Sequence, residues 1–118
     1  MPHSLEQLSR PTQLGYREIN PSDLARATFR GRIIDVREPA EFHQESGHLA
    51  GAELVPLATV AEQASRWDRD LEFVMVCRSG GRSGRAAQLL ANMGFRHLYN
   101  LAGGMLAHVA AGLPTVRS

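Results

Sequence analysis

Lysine is absent from this chain, whose thirteen basic residues are all arginine, and cysteine occurs once, at Cys77. One cysteine excludes an intramolecular disulfide and supplies too few thiolates for a zinc or iron–sulfur centre. The five histidines, His3, His43, His48, His97 and His108, stand apart without metal-ligand spacing. No apolar run approaches the length of a membrane span. The opening MPHSLEQLSRPTQLG has neither the basic flank nor the apolar stretch of a signal peptide. Neither sign of charge is in excess: the formal net charge is +1, which draws the chain neither to nucleic acid nor to a membrane surface. What is present suffices for one compact domain, 118 residues of which 43% are hydrophobic. The setting expected from these absences is a soluble protein of a reducing cytoplasm.

Along the chain, residues 1–14 are polar and aperiodic and are expected to form a flexible N-terminal arm, with the folded domain over 15–118. GYREI reads as a short edge strand. NPSDLARA opens a helix, with Asn20 as N-cap and Pro21 at the first helical position. GRIIDVR suits a buried strand, EPAEFHQE a short helix and AELVP a further strand. LATVAEQASRW spaces Leu57, Val60, Ala61, Ala64 and Trp67 as a helix does. LEFVMV is the most continuous apolar run and is expected at the centre of the sheet. GRAAQLLANMG reads as a helix closed by Gly94, HLYNL as a strand and MLAHVAAG as a last helix. Strands alternating with helices predict an α/β domain, a parallel sheet with helices on both faces.

In such a sheet, ligands bind beyond the carboxyl ends of the strands. Cys77 falls at one of these ends, where FVMV gives way to CRSGGRSGR. The bland reading is an inert core cysteine, since a free thiol behaves as a small buried hydrophobe. The loop argues otherwise. Gly80 and Gly81 can take angles that turn successive amides inward, and a helix starting near Ser83 or Gly84 adds partial positive charge. Arg78, Arg82 and Arg85 add full charges nearby. Such surroundings lower a thiol from about 8.5 to roughly 3.5–7.5. The spacing is neither that of a P-loop nor that of a dinucleotide fingerprint.

IIDVREPAEFHQESGHLAGAELVPL, VMVCRSGGRS and GFRHLYNLAGGMLAHVAAGLP resemble, in order and spacing, the single-domain rhodaneses, or sulfurtransferases, from about Tyr16 to Pro114. The resemblance implies a five-stranded parallel sheet flanked by helices, and a cysteine that carries a sulfane sulfur as a persulfide. Residue by residue, Cys77 matches the sulfur carrier. Arg78, Ser79, Gly80, Gly81 and Arg82 match the substrate-binding loop whose amides face the sulfur, and Ser83 begins the helix. Asp35 and Arg37 match the family's DVR and are read as structural support, with Arg37 pairing with Glu41 or a nearby carboxylate. His48 matches the histidine of GHLAGA and is read as a hydrogen-bonded loop residue. His108 stands where many relatives carry tryptophan.

The reaction implied is a double displacement. The Cys77 thiolate takes the outer sulfur of thiosulfate or a low-molecular-weight persulfide, then yields it to cyanide or a thiol. A protein thiol remains a further possible acceptor. No metal and no organic cofactor is called for, and neither nucleic acid nor a membrane is a partner. Two rivals stand beside this reading. Cysteine phosphatases and arsenate reductases place arginine six residues after the cysteine, whereas here Arg82 is fifth and Ser83 sixth. A non-catalytic binding module would usually lack the cysteine.

Overall fold

The computed structural model describes residues 3–43 and 47–117. Helix α1 (Leu5–Leu8) opens on a capping box between Ser4 and Gln7, and strand β1 (Arg10–Pro11) follows. Then come β2 (Arg17–Ile19), α2 (Pro21–Arg26), β3 (Gly31–Asp35), α3 (Pro39–His43) and β4 (Ala52–Leu54). A 3-10 turn at Leu57–Thr59 leads into α4 (Val60–Ala64), and β5 (Glu72–Val76), α5 (Gly81–Asn92), β6 (His97–Leu101) and α6 (Gly104–Ala110) complete the chain.

The sheet order is β1-β2-β6-β5-β3-β4. The five strands from β2 to β4 are parallel, as expected. A sixth, antiparallel strand is added by β1, which pairs Arg10 with Glu18 and Pro11 with Arg17. The N-terminal segment is thus docked rather than loose. Leu5 is fully buried, and Arg17 donates from Nε to Ser9 Oγ at 2.7 Å. Burial of Leu5, the ladder to β2 and the bridge between His3 and Ala27 help to hold it.

Strand β5 lies between β3 and β6, and its side chains alternate between two cores. Phe73, Met75 and Cys77 join Ile34, Val60, Trp67, Ala86, Leu90 and Phe95 on the face covered by α4 and α5. Val74 and Val76 join Ile19, Leu24, Tyr99, Leu101 and Met105 on the face covered by α2 and α6. The period of two therefore sends Cys77 toward the start of α5. Among the described residues, no helix is long and apolar enough to cross a membrane.

Candidate active site

Chain direction puts the ends of β3, β5 and β6 on one edge of the sheet, and each runs on into a loop or helix start there. Val36 N–H donates to the Val76 carbonyl at 2.9 Å, which keeps the two departing chains together. Beyond Val76 the strand cannot continue, because Gly80 sits at φ +101°, a conformation that side chains with a Cβ rarely adopt. Gly80 is the N-cap of α5, so the helix begins at Gly81, earlier than the sequence pattern placed it. Gly81 itself has ordinary backbone angles, and a Cβ there would meet nothing within 4 Å. Of the glycine pair, only Gly80 is required by the turn.

The early start places Arg82 and Ser83 in the first helical turn. Gly80 N–H lies 3.1 Å from Cys77 Sγ, and Ser83 Oγ lies 3.2 Å from it. Cys77 is 1% exposed. Burial pushes its thiol up, but the Ser83 hydroxyl and the amides of Ser83, Gly80 and Ser79 outweigh burial and leave the pKa below its ordinary value. The largest contributions to the lowering are thus hydrogen bonds.

Arg82 is engaged elsewhere. Its Nη1 and Nη2 each lie 2.8 Å from an oxygen of Glu41, a forked ion pair joining α5 to α3. The Arg82 side chain holds Glu41 at about 2, well below the carboxylate range. Arg37 accordingly does not take Glu41. It pairs with Asp35, Nη2 to Oδ2 at 2.8 Å, and donates also to the Gly47 carbonyl at 3.0 Å. Short reach favours this choice, since the two residues flank the end of one strand.

His48 is buried and hydrogen-bonded in its loop. Its Nδ1 is 2.9 Å from the Phe42 carbonyl, its ring stacks on Phe42, and its backbone pairs with Val116. His108 is buried on α6 with Nε2 at 2.8 Å from the Pro114 carbonyl, which requires the proton on Nε2. Arg78 and Ser79 are exposed at the head of the loop. Among the described residues, no group of His, Cys, Asp and Glu could hold a metal ion.

Two residues that hold the cysteine loop were not legible as such. Asn100, on β6, accepts from Ser83 Oγ at 2.5 Å and donates from Nδ2 to the Gly80 carbonyl at 3.1 Å and to Glu18 at 3.0 Å. The one proton of the Ser83 hydroxyl therefore has three acceptors within reach, Asn100, the sulfur and the Gly80 carbonyl. Ser83→Ala removes a hydrogen bond to a charged sulfur worth roughly 1.5–3 kcal/mol. The pH profile of Cys77 alkylation should move upward and the rate at neutral pH fall by about tenfold. A profile that stays in place would leave the amides as the sole support of the thiolate.

Gly104 is the other. Its φ is +60°, and a Cβ there would lie 2.5 Å from the carbonyl oxygens of both Cys77 and Arg78. The close approach lets Met105 N–H reach the Cys77 carbonyl at 2.9 Å and Leu106 N–H the Arg78 carbonyl at 3.0 Å. Gly104→Ala is expected to cost about 2 kcal/mol by denaturant unfolding and to displace the loop. GG before a helix was the available signal, read only as a turn.

A mixed, mostly parallel α/β sheet with a hydrogen-bonded thiol in the loop after β5 defines the class of protein. The chain belongs to the rhodanese-like domain family, whose model matches residues 20–111. It is 42% identical over 80 residues to the uncharacterized protein YqhL of Bacillus subtilis, covering 67% of this chain and 62% of that one. The chain therefore spans less than two thirds of that relative. It is 38% identical over 72 residues to the thiosulfate sulfurtransferase PspE of Escherichia coli, covering 59% of this chain and 67% of that one. A rhodanese-related protein from Thermoplasma volcanium superposes with a TM-score of 0.79 at 29% identity, over 87% of this chain and 100% of that one.

Proposed function

We propose that this domain moves a sulfane sulfur from thiosulfate or a low-molecular-weight persulfide to a thiol or cyanide, through a persulfide on Cys77. The observation that carries the reading is the sulfur's cradle: a buried thiol with a lowered pKa, met by the Gly80 amide and the Ser83 hydroxyl. In the first step the Cys77 thiolate attacks the outer sulfur of the donor. The S–S bond of the donor breaks, its electron pair leaves on sulfite or on a thiolate, and Cys77–S–S⁻ remains. In the second step the acceptor attacks the outer sulfur and Cys77 departs as thiolate. No separate base is needed when the nucleophile is already ionised. The amides and the serine hydroxyl that favour the thiolate also suit the persulfide anion. Relatives that bear the name sulfurtransferase support the class, and a protein thiol is a further proposed acceptor. The cytoplasm is the proposed setting.

The phosphatase alternative is disfavoured by Arg82, which gives both ends of its fork to Glu41 instead of presenting them to an oxyanion. The test of the reading is intact mass after incubation with thiosulfate and, separately, with glutathione persulfide. A gain of one sulfur atom on Cys77, discharged by cyanide, is expected. No adduct with either donor would overturn the proposal.

A further inference from the structure

Arg82 and Glu41 join the two helices that follow β5 and β3. Arg82 stands in the first turn of α5, beside Ser83, and Glu41 in α3, where its Oε1 also accepts from the Glu38 amide at 3.0 Å. Their side chains are 30% and 21% exposed, so the pair belongs to the rim of the site and not to the core. Arg82 is near enough for the Cys77 thiolate to favour its charged form, though less than Glu41 does. Glu41 is held ionised down to about 2, so it carries its charge at every pH where the thiolate is of use. The net charge contributed by the pair to the sulfur's surroundings is zero.

Donors differ in how much they need that charge. Thiosulfate is a dianion, and its reaction with a thiolate gathers three negative charges: Cys77–S⁻ forms an S–S bond to the outer sulfur while the bond to the sulfonate breaks and sulfite leaves with the pair. A protonated persulfide on an uncharged carrier gathers only one: Cys77–S⁻ takes the outer S–H sulfur of R–S–SH, and R–S⁻ leaves. An arginine free of its carboxylate would favour the first reaction far more than the second. We infer that Glu41 is a specificity-determining residue that, by occupying Arg82, turns the site away from dianionic donors and toward persulfides of uncharged carriers. The inference rests on the sulfurtransferase reading and names its donor class.

The test compares the native protein, Glu41→Gln, Arg82→Ala and the double variant, with thiosulfate and with 2-hydroxyethyl persulfide as donors. The readout is the ratio of kcat/KM for the two donors, from which the fraction of folded enzyme and the thiolate population both cancel. Glu41→Gln should raise the thiosulfate-to-persulfide ratio about fivefold, and Arg82→Ala should lower it by a similar factor. The double variant, neutral again at the rim, should return to within about twofold of the native ratio, and added salt should compress all these differences. A ratio that stays constant through the series would make the pair a brace between α3 and α5 and overturn the inference alone. So would a ratio that falls in Glu41→Gln. If the native protein takes sulfur from neither donor, the sulfurtransferase reading falls and the inference with it.

Discussion

Cys77→Ser is expected to abolish sulfur transfer and to leave the fold in place. The serine hydroxyl ionises far above the range of any biological thiol, so the same cradle cannot supply a nucleophile at neutral pH. It also cannot hold a sulfane sulfur, since the persulfide bond joins two sulfur atoms. Structurally the change is small. Position 77 is buried, yet its polar contacts survive the exchange, because an oxygen there can still accept from the Gly80 amide and the Ser83 hydroxyl. The cost should stay within about 1 kcal/mol. The measurement pairs a thiosulfate:cyanide assay and intact mass with denaturant unfolding of the same preparation. Transfer that persists in a folded Cys77→Ser protein would end the assignment.

The framework of the site was legible because its signals are local. LEFVMV alternates between two faces that are both apolar, which only a strand covered on both sides requires, and it indeed lies between β3 and β6. The cysteine at its end follows from counting. What resisted reading was the pairing of charges across sequence. Arg82 and Glu41 are 41 residues apart, and nothing in either segment says that the forked contact forms there while Arg37 turns to its near neighbour Asp35. The Asn100 contacts reach Gly80 and Glu18 across 20 and 82 residues and exist only once β6 lies between β2 and β5. The start of α5 was misplaced for another reason. Gly81 reads as loop by propensity, but the single left-handed residue at Gly80 completes the turn, and the helix takes the glycine regardless. The N-terminal segment did carry a signal that went unused. Ser4 and Gln7 have capping-box spacing, and Leu5 between them supplies the buried anchor.

Loss of either partner of the Asp35–Arg37 pair is expected to be the most destabilising change in the neighbourhood of the site. Asp35 is 0% and Arg37 1% exposed, so neither charge has water to fall back on. Asp35 accepts from the Arg37 amide at 3.1 Å and from its Nε at 2.9 and 3.1 Å, besides the 2.8 Å contact to Nη2. The bond from Nη2 to the Gly47 carbonyl then ties this knot to the segment that holds His48. Arg37→Met would strand the carboxylate, and Asp35→Ala would strand the guanidinium. Each should cost about 3–5 kcal/mol, a large part of the roughly 5–15 kcal/mol by which small domains are stable. The double variant should cost clearly less than the sum, because the second substitution removes the charge that the first left uncompensated. Urea unfolding of the four proteins gives the coupling directly. Additive losses, or single losses below about 1 kcal/mol, would mean that the pair does not brace the end of β3. Sulfur transfer measured per folded molecule separates this from a catalytic role: the hydrogen bonds to Sγ come from the Ser79, Gly80 and Ser83 groups, so loss of Asp35 or Arg37 should act through the population of folded enzyme and the position of the loops.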